Sequence, residues 1–564
     1  MFYWKFMHEN LFDHIDILPE NVNIPDGTVK REELENYCKQ YEKKIIALGG
    51  LDFQLLGIGR SGHIGFNEPG SSVKCVTRLV HLDKITRTDA ASDFMGLSKV
   101  PRSAITMGIA TILSAKRIIL LAWNENKSKV VTKAIEGPIT ENVPASYLQL
   151  TQAAECVIDK PAAVYLTRNQ CPWTIKGIDT DPFVEYNDFW MIKAIIWLCK
   201  KTGKPILRLT EKDYEDNGLI DLVYQRGNGQ SGVVNMLAYE MMKSKISGWP
   251  AGGRPNISST DYFTQAQSTK KERILIFSPH PDDDVICMGG TMEKLIRQGH
   301  DVHVSYQTSG NLAVFDHDAE RFNDFVLEYA NIMGLSEATR KEIEARKTKI
   351  QRELDSKQDG QFDTEDMRKV KTIIRRTEAK MGAMECGVKK SQIYHLDLPF
   401  YESGSIKKKP LGEEDIQIVK NLIQKINPTM LFCAGDLTDP HGTHRVCLQA
   451  ILKSLDQLQA EQNFLDTCQV LLYRGAWQEW DLEMVELAVP MSPEEVLIKR
   501  DAIYRHESQK DRAMFPGSDA REFWQRAEDR NRQTAELFKD MGLTQYQAIE
   551  CFVSLQTLKT QNGI

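Results

Sequence analysis

The stretch ILIFSPHPDDDVICMGGT, residues 274–291, decides how the second half of the chain folds. Its first residues are apolar and rich in isoleucine, which predicts a buried strand ending at Ser278. His280 and the three aspartates 282–284 follow at once, before a helical run. In open α/β sheets, ligands bind at the carboxyl ends of the strands. The stretch therefore predicts a ligand site at the edge of an α/β sheet.

The crowding of charge in this loop favours a bound cation. One imidazole and three carboxylates within five residues would repel one another if left bare, and a divalent ion would stabilise them. A helix N-cap, the structural alternative, explains one Asp but not the whole HPDDD sequence, residues 280–284.

A second motif, DPHGTH at 439–444, also follows an apolar strand and precedes a helix. Zinc binds imidazole nitrogen and carboxylate oxygen, and a catalytic zinc site keeps a position open for water. His280, Asp283 and His444 would supply three ligands from two strand ends.

Strands alternate with helices in both halves of the chain, which is typical of parallel α/β layers. The predicted fold is α/β, with two Rossmann-like parallel-sheet domains, the first one incomplete, joined by a mostly helical segment. Residues 248–270 are rich in Gly, Pro, Ser and Thr and are expected to form the linker. The predicted boundaries are 1–160, 161–268 and 269–564.

Composition narrows the class of protein. The 564 residues carry a net charge of −7, without the basic excess expected of a nucleic-acid-binding protein. The eleven cysteines form no CxxC pair, which argues against a disulfide framework and favours the cytoplasm. No apolar run is long enough to span a bilayer, so we expect no membrane partner. Homo-oligomerisation is left open.

The two motifs resemble those of the PIG-L/LmbE family of zinc-dependent N-acetylglucosamine deacetylases over roughly residues 270–560. Thr308-Ser309-Gly310, Arg375 with Glu378, and the run AIYRHESQ, residues 502–509, agree with the family pattern. Asp284 stands where the family more often has Glu.

The resemblance implies roles for individual residues. His280, Asp283 and His444 would bind Zn²⁺, and Asp282 would be the general base. His441 would stabilise the oxyanion or protonate the departing amine. Arg375 is expected to bind substrate, which would be a small amino sugar or its phosphate.

A run near the end of the chain, FPGSDAREFWQRAEDRNR at 515–532, contains four arginines, among them Arg521. Because guanidinium groups bind phosphate with two parallel hydrogen bonds, Arg521 is expected to contact a sugar phosphate. A solvated helix face with ion pairs is the alternative.

The amino-terminal half carries GIGRSGHIGFNEPG at 57–70. This segment closely resembles the active-site segment of glucosamine-6-phosphate deaminases, and the likeness runs from about Phe2 to Asp159. It implies that His63 helps to open the sugar ring, that Glu68 orients it, and that Lys127 binds phosphate. Deaminases also carry an earlier βαβ portion with a phosphate loop and a proton-shuttling Asp. The sequence begins after both, so we expect little deamination by this chain alone.

The leading interpretation is an amino-sugar hydrolase of N-acetylglucosamine catabolism, in which a zinc-dependent N-deacetylase is fused to a deaminase-like domain. One alternative is a bifunctional enzyme that also converts glucosamine 6-phosphate to fructose 6-phosphate and ammonia. A metal-dependent phosphoesterase, which often uses two metals, is another. The third alternative is that the amino-terminal half is a non-catalytic sugar-phosphate sensor or oligomerisation module.

Overall fold

The computed structural model describes residues 2–90, 94, 99–175, 184–255, 267–357, 361–403, 408–437, 442–475, 478–510 and 521–562. The chain divides into two compact units, Met1–Pro172 and Trp173–Ile564. The domain boundaries at 160 and 268 stay predictions, and residues 256–266 of the expected linker lie outside the described part of the chain.

The first unit contains a parallel three-stranded sheet in the order β1-β4-β5, and an antiparallel pair, β2 with β3. Its elements are α1 Phe2–Asn10, α2 Leu34–Ala47, β1 Phe53–Gly57, β2 Arg78–His81, α3 Lys84–Ala90, β3 Ser103–Thr106, α4 Ile109–Leu113, β4 Arg117–Ala122, α5 Ser128–Ile135, β5 Ala154–Ile158 and α6 Thr167–Gln170. Leu56 of β1 and alternate apolar residues of β4 pack with residues of α4 and α5, and form the core of this unit.

The second unit contains a seven-stranded sheet with helices around it. Its elements are α7 Asp188–Thr202, α8 Glu211–Asp216, α9 Ile220–Gly227, α10 Ser231–Ser244, β6 Arg273–Ser278, α11 Asp283–Arg297, β7 Asp301–Tyr306, α12 Asp316–Ile332, α13 Glu337–Ser356, α14 Glu365–Glu385, β8 Ile393–His395, α15 Glu413–Ile426, β9 Met430–Ala434, α16 Thr443–Gln462, β10 Gln469–Tyr473, β11 Leu487–Met491, α17 Pro493–Tyr504, α18 Phe523–Asp540, β12 Ala548–Ser554 and α19 Leu555–Asn562.

The strand order of this sheet is β11-β12-β10-β9-β6-β7-β8. The five strands from β10 to β8 are parallel, whereas β12 runs antiparallel to both of its neighbours. The chain leaves β6 towards β7 on one side and returns to β9 on the other. The carboxyl ends of β6 and β9 therefore flank a topological switch point, where open α/β sheets bind ligands.

The composition of the strands explains their places in the sheet. In β6 every residue after Arg273 is buried, as expected for a central parallel strand that is covered on both faces. The α/β class and the two parallel-sheet layers predicted from the sequence are confirmed. The antiparallel β12 was not predicted, because a buried apolar run carries no mark of strand direction.

The helical segment α7–α10 belongs to the second unit. Lys193 of α7 forms a buried ion pair with Glu483 at 3.0 Å, and the Ile206 backbone N–H donates to the Met541 carbonyl at 3.1 Å. No helix among the described residues combines the length and apolar character needed to cross a bilayer.

A buried polar network connects α11 with β12 and α17. The Glu550 carboxylate of β12 accepts hydrogen bonds from the Thr291 backbone and hydroxyl at 2.7 and 2.6 Å, and from Lys499 Nζ at 2.6 Å. A Cβ on Gly290 would come within 2.1 Å of the Met491 sulfur, so a larger residue there would have to displace the methionine side chain. The network fixes the helix that begins at the aspartate cluster.

Candidate metal centre and active site

The two predicted histidines meet at the switch point. His280 follows β6 and His444 lies in the first turn of α16, just after β9. His280 Nδ1 lies 3.2 Å from His444 Nε2, and the Asp283 Oδ2 atom lies 3.2 Å from the first and 3.1 Å from the second. Ligand atoms of all three residues lie within 4.8 Å of one another. These atoms could converge on a single ion.

The hydrogen bond on the far side of His444 tests whether a cation fits. His444 Nδ1 lies 2.8 Å from the Asp436 carbonyl oxygen, which only accepts, so Nδ1 carries the proton. In the neutral ring, Nε2 then turns a lone pair towards the anionic Asp283. Two electron-rich atoms at 3.1 Å require a cation between them or a proton on the imidazole. A carbonyl that orients a metal-binding imidazole is the usual arrangement in metal sites.

The ionisation of Asp283 suits this role. Burial alone would raise the pKa of Asp283, but the adjacent His444 and His280 imidazoles outweigh it and hold the pKa well below its usual range. The backbone N–H of His280 also donates to Asp283 Oδ2 at 2.9 Å. The carboxylate is therefore anionic and fixed in place.

The loop that presents His280 is held from both sides. The Ser278 hydroxyl donates to the His280 carbonyl at 2.6 Å, and the Thr308 hydroxyl donates to the Pro279 carbonyl at 2.8 Å. These bonds give a structural reason for the Thr308-Ser309-Gly310 sequence after β7. The loop is therefore positioned by the residues that follow β6 and β7.

The three aspartates do not share one ion, and here the sequence argument needs correction. Only Asp283 faces the histidines. Asp282 pairs with Arg375, and Asp284 accepts a hydrogen bond from the Tyr306 hydroxyl at 2.9 Å inside the core. Burial raises the pKa of Asp284 to about 7. Arginine and tyrosine thus relieve the repulsion that the sequence argument assigned to a metal alone.

Arg375 of α14 is fully buried, and its Nη2 atom lies 3.0 Å from Asp282 Oδ2. Its Nε and Nη1 atoms have no hydrogen-bond partner among the described residues. A Cβ on Gly310, whose φ is +66°, would lie 2.9 Å from Arg375 Nε, so glycine makes room for the guanidinium. The Arg375 Nη1 atom lies 4.0 Å from Glu378 Oε2, which forms a second, longer ion pair, and substrate binding by Arg375 stays a prediction.

The run HESQ, residues 506–509, had no role assigned from the sequence, yet it lies at the site. The Ser508 backbone and hydroxyl donate to the Glu378 carboxylate at 2.8 and 2.7 Å, and Gln509 donates to the Ala313 carbonyl at 2.9 Å. These bonds hold the turn that carries His506, which lines a small cavity together with Asp282. The agreement of this run with the family pattern was the signal available in the sequence. Its contact with Glu378 of α14 is seen only in the structure.

Two other predicted residues lie elsewhere. His441 is outside the described residues, so its role stays a prediction. Arg521 forms an ion pair with Asp529, which also pairs with Arg532. These contacts favour the alternative of surface ion pairs over a phosphate contact for Arg521. Arg526 differs from Arg521, since it is buried and donates to the Arg521 carbonyl at 2.8 Å.

In the first unit, the predicted pair is also close together. His63 Nδ1 lies 3.2 Å from Glu68 Oε2 and 2.9 Å from the Ser61 hydroxyl. Burial opposes ionisation of Glu68, but hydrogen bonds from His63 and Thr86 outweigh it and lower its pKa. An anionic Glu68 would orient the His63 imidazole, which suits acid–base chemistry on a ring oxygen.

Lys127, just before α5, donates from Nζ to the Ile58 carbonyl at 2.8 Å, beside the glycine-rich segment after β1. Burial lowers the pKa of Lys127. The ammonium has two further hydrogens for an anionic ligand.

Comparison with known families agrees with this division into two units. Residues 275–455 match the GlcNAc-PI de-N-acetylase (PIG-L) family. Residues 3–158 match the family of glucosamine-6-phosphate isomerases and 6-phosphogluconolactonases.

Among individual proteins, the glucosamine-6-phosphate deaminase-like protein of Bacteroides thetaiotaomicron is 46% identical over 549 residues, which are 97% of this chain and 81% of that protein. A glucosamine-6-phosphate deaminase of Clostridium botulinum is 48% identical over 161 residues, 28% of this chain. This chain thus spans 65% of that deaminase, slightly less than two thirds.

A solved structure of N,N'-diacetylchitobiose deacetylase from Pyrococcus horikoshii is 19% identical, covers 55% of this chain and 97% of its own, and gives a TM-score of 0.33. The match to the Bacteroides protein spans nearly the whole sequence, and both domains belong to families of enzymes. The chain therefore belongs to the family of glucosamine-6-phosphate deaminase-like proteins, in which a glucosamine-6-phosphate isomerase domain is joined to a PIG-L domain.

Proposed function

We propose that the second unit is a zinc-dependent deacetylase that removes the acetyl group from N-acetylglucosamine or its phosphate. The observation that carries this proposal is the convergence of His280, Asp283 and His444 beside Asp282. Two imidazoles and one carboxylate are the ligand set of many catalytic zinc sites, which leave room for substrate and water.

Bound zinc would act as a Lewis acid on the acetamide carbonyl and increase the acidity of water. Asp282 then takes the proton from the attacking water. Arg375 keeps the Asp282 carboxylate oriented for that transfer through their buried contact at 3.0 Å. His441 stabilises the oxyanion or protonates the amine that leaves.

The substrate class is supported by the families of the two domains, since both act on amino sugars by name. We infer a place in N-acetylglucosamine catabolism, with deacetylation before loss of the amino group. The reduced cysteines fit a cytoplasmic enzyme.

A second candidate function concerns the first unit. The contact between His63 and Glu68 at 3.2 Å favours opening of an amino-sugar ring, and Lys127 offers a cation for its phosphate. We propose that this unit binds glucosamine 6-phosphate, either to deaminate it or as a sensor.

The deacetylase proposal is tested by acetate release from N-acetylglucosamine and from its 6-phosphate. Chelation should abolish release, and zinc should restore it. Release of inorganic phosphate without acetate would instead support the phosphoesterase alternative. Among the described residues, His280, Asp283 and His444 form the single group able to hold a metal, which does not favour a two-metal phosphoesterase.

A further inference from the structure

An ion pair in the first unit connects the glycine-rich segment after β1 with helix α3. Arg60 belongs to that segment, and Asp89 lies near the end of α3. Arg60 Nε donates to Asp89 Oδ2 at 2.9 Å, and Arg60 Nη2 donates to Asp89 Oδ1. The chemistry proposed for this unit uses neither residue. A guanidinium that holds a carboxylate through two parallel hydrogen bonds presents the same pair of donors that binds a phosphate group.

Helix α3 contacts the candidate site of this unit at a second point. The Thr86 hydroxyl lies 3.3 Å from His63 Nδ1. Asp89 follows Thr86 by three residues, so the two side chains lie on the same face of the helix. The ion pair between Arg60 and Asp89 therefore lies beside the contact between α3 and His63.

A second cation lies close to this ion pair. Lys127 Nζ donates to the carbonyl of Ile58, two residues before Arg60, at 2.8 Å. Burial lowers the pKa of Lys127, and the charges of Asp89 and Arg60 also act on this pKa, in opposite directions. The ammonium and the guanidinium are therefore close enough to act on one anion, and the carboxylate of Asp89 holds one of them.

Two other interpretations of the ion pair are weaker. As a stabilising contact it would contribute little, because the Arg60 and Asp89 side chains are 31% and 42% exposed. A cationic ligand is unfavourable at Asp89, because both carboxylate oxygens already accept from the guanidinium and Lys127 repels a second positive charge. A phosphate group suits both cations, since two of its oxygens accept from Arg60 while a third accepts from Lys127.

We infer that Arg60 is a phosphate-binding residue of the first unit, and that Asp89 competes with the phosphate group for its guanidinium. The inference rests on the second candidate function, since the phosphate is that of glucosamine 6-phosphate. It adds Arg60 to Lys127 as a ligand contact and makes Asp89 a residue that sets the affinity. Binding exchanges one bidentate partner of Arg60 for another, and the displaced carboxylate turns to solvent.

Calorimetry on the full chain in the Asp283→Ala background tests the competition with two probes, glucosamine 6-phosphate and inorganic phosphate. Asp89→Asn should tighten binding of both about tenfold, because a neutral amide is a weaker partner for the guanidinium. Arg60→Met should weaken binding of both about tenfold. Arg60→Lys keeps the charge without the paired donors, so it should recover only part of that loss.

A double variant separates competition from a general effect of charge. Removal of the Asp89 carboxylate also removes a long-range repulsion of anions, but this repulsion does not require Arg60. In the Arg60→Met background, Asp89→Asn should therefore tighten phosphate binding by no more than about threefold. A full tenfold gain in that background, or an unchanged or weaker affinity in Asp89→Asn alone, would overturn the competition. Unchanged affinity in Arg60→Met would overturn the phosphate contact.

Glu155→Gln is the matched control. Arg117 and Glu155 form a bidentate ion pair of the same kind, at 3.2 and 3.0 Å. Arg117 is paired with Phe53 at the start of β1, whereas the glycine-rich segment follows the end of that strand. Glu155→Gln should leave the affinity for both probes unchanged, and tighter binding in this variant would overturn the inference. All of these side chains are partly exposed, so the circular dichroism of each variant should match that of the parent protein.

The same measurements separate the inference from the function on which it rests. Binding of glucosamine 6-phosphate that depends on Lys127, but not on Arg60 or Asp89, would refute the inference and leave the second candidate function. Equal affinity for the two probes, weakened by Arg60→Met and tightened by Asp89→Asn, would leave the phosphate site and refute recognition of an amino-sugar phosphate. No measurable binding of either probe in Asp89→Asn would overturn both.

Discussion

The Arg375 Nη2 atom lies 3.0 Å from the Oδ2 atom of Asp282, and both side chains are almost completely buried. Besides its predicted role in substrate binding, Arg375 therefore compensates the charge of Asp282, the residue expected to act as the general base. Removing one partner of a buried ion pair leaves the other charge uncompensated, which usually costs more than the pair contributes.

We expect Arg375→Met to lower the free energy of unfolding by about 3–5 kcal/mol, because Asp282 would remain buried and unpaired. Adding Asp282→Asn should recover part of that loss. Urea denaturation of the wild type, both single variants and the double variant measures the coupling. Arg376→Met is the matched control. Arg376 and Asp397 form an ion pair in which each side chain is about one third exposed, so the loss of this pair should cost about 1 kcal/mol or less. Equal losses at both arginines would contradict this account.

Asp282→Asn by itself separates the base from the metal. The variant should retain zinc, because the ligand atoms of His280, Asp283 and His444 are unchanged, yet acetate release should fall by about 10²–10⁴. Metal analysis and acetate release on the same sample measure the two effects. Asp284→Asn is the neighbouring control, because that carboxyl faces Tyr306 and should leave the rate within about tenfold of wild type. Wild-type turnover in Asp282→Asn would assign proton transfer to another residue, with His441 as the next candidate.

The metal ligands are tested by stoichiometry. The purified protein should hold about one zinc per chain, and Asp283→Ala or His444→Ala should lose both the zinc and the acetate release. His303→Ala is a matched control, because this histidine of β7 contacts Tyr394 at 3.3 Å and lies outside the ligand group. Full zinc occupancy in both ligand variants would show that the ion binds elsewhere.

The sequence predicted a site at the carboxyl edge of an α/β sheet but not its internal contacts. His280 and His444 each follow an apolar strand, and the carboxyl ends of parallel strands share one edge, but only the structure shows that β6 and β9 are neighbours. The partners of Asp282 and Asp284 come from α14 and β7, and only the packing of those elements decides which aspartate meets which partner. His506 received no role from the sequence. It lies in an irregular segment, where the pattern of residues does not show that its two ring nitrogens are buried without a hydrogen-bond partner among the described residues.

In the first unit, Lys127→Met should weaken binding of glucosamine 6-phosphate about tenfold or more, because it removes the partly buried ammonium near the glycine-rich segment. Calorimetry in the Asp283→Ala background, which disables the second unit, isolates this binding. Lys133→Met is the control, since Lys133 lies exposed on the adjacent α5. An unchanged affinity in Lys127→Met would remove Lys127 from the phosphate site.

The last prediction concerns acid stability and His395, which lies in β8 outside the proposed site. Its ring stacks on Tyr306 with centroids 5.2 Å apart, and burial, helped by the charges of Arg376 and Lys380, lowers its pKa to about 4. Between the ordinary histidine pKa of about 6.5 and this lowered value, the unfolded chain binds a proton that the folded chain does not. The folded state is therefore favoured above pH 6.5, and His395 makes it progressively less stable as the pH falls towards 4.

His395→Phe keeps the stacked ring and removes the titration, so the variant should resist acid better than the wild type. Between pH 7.5 and pH 5.0, the free energy of unfolding should fall by about 1–2 kcal/mol less in the variant than in the wild type, allowing for partial solvent screening of a half-buried ring. Urea denaturation at the two pH values measures the difference. His317→Phe is the control, because that ring is exposed to solvent. If His395→Phe and His317→Phe lose stability equally on acidification, His395 does not titrate with the lowered pKa. In that case the acid sensitivity of this unit must come from another buried group, with His506 the first to examine, since its pKa is lowered to a similar value.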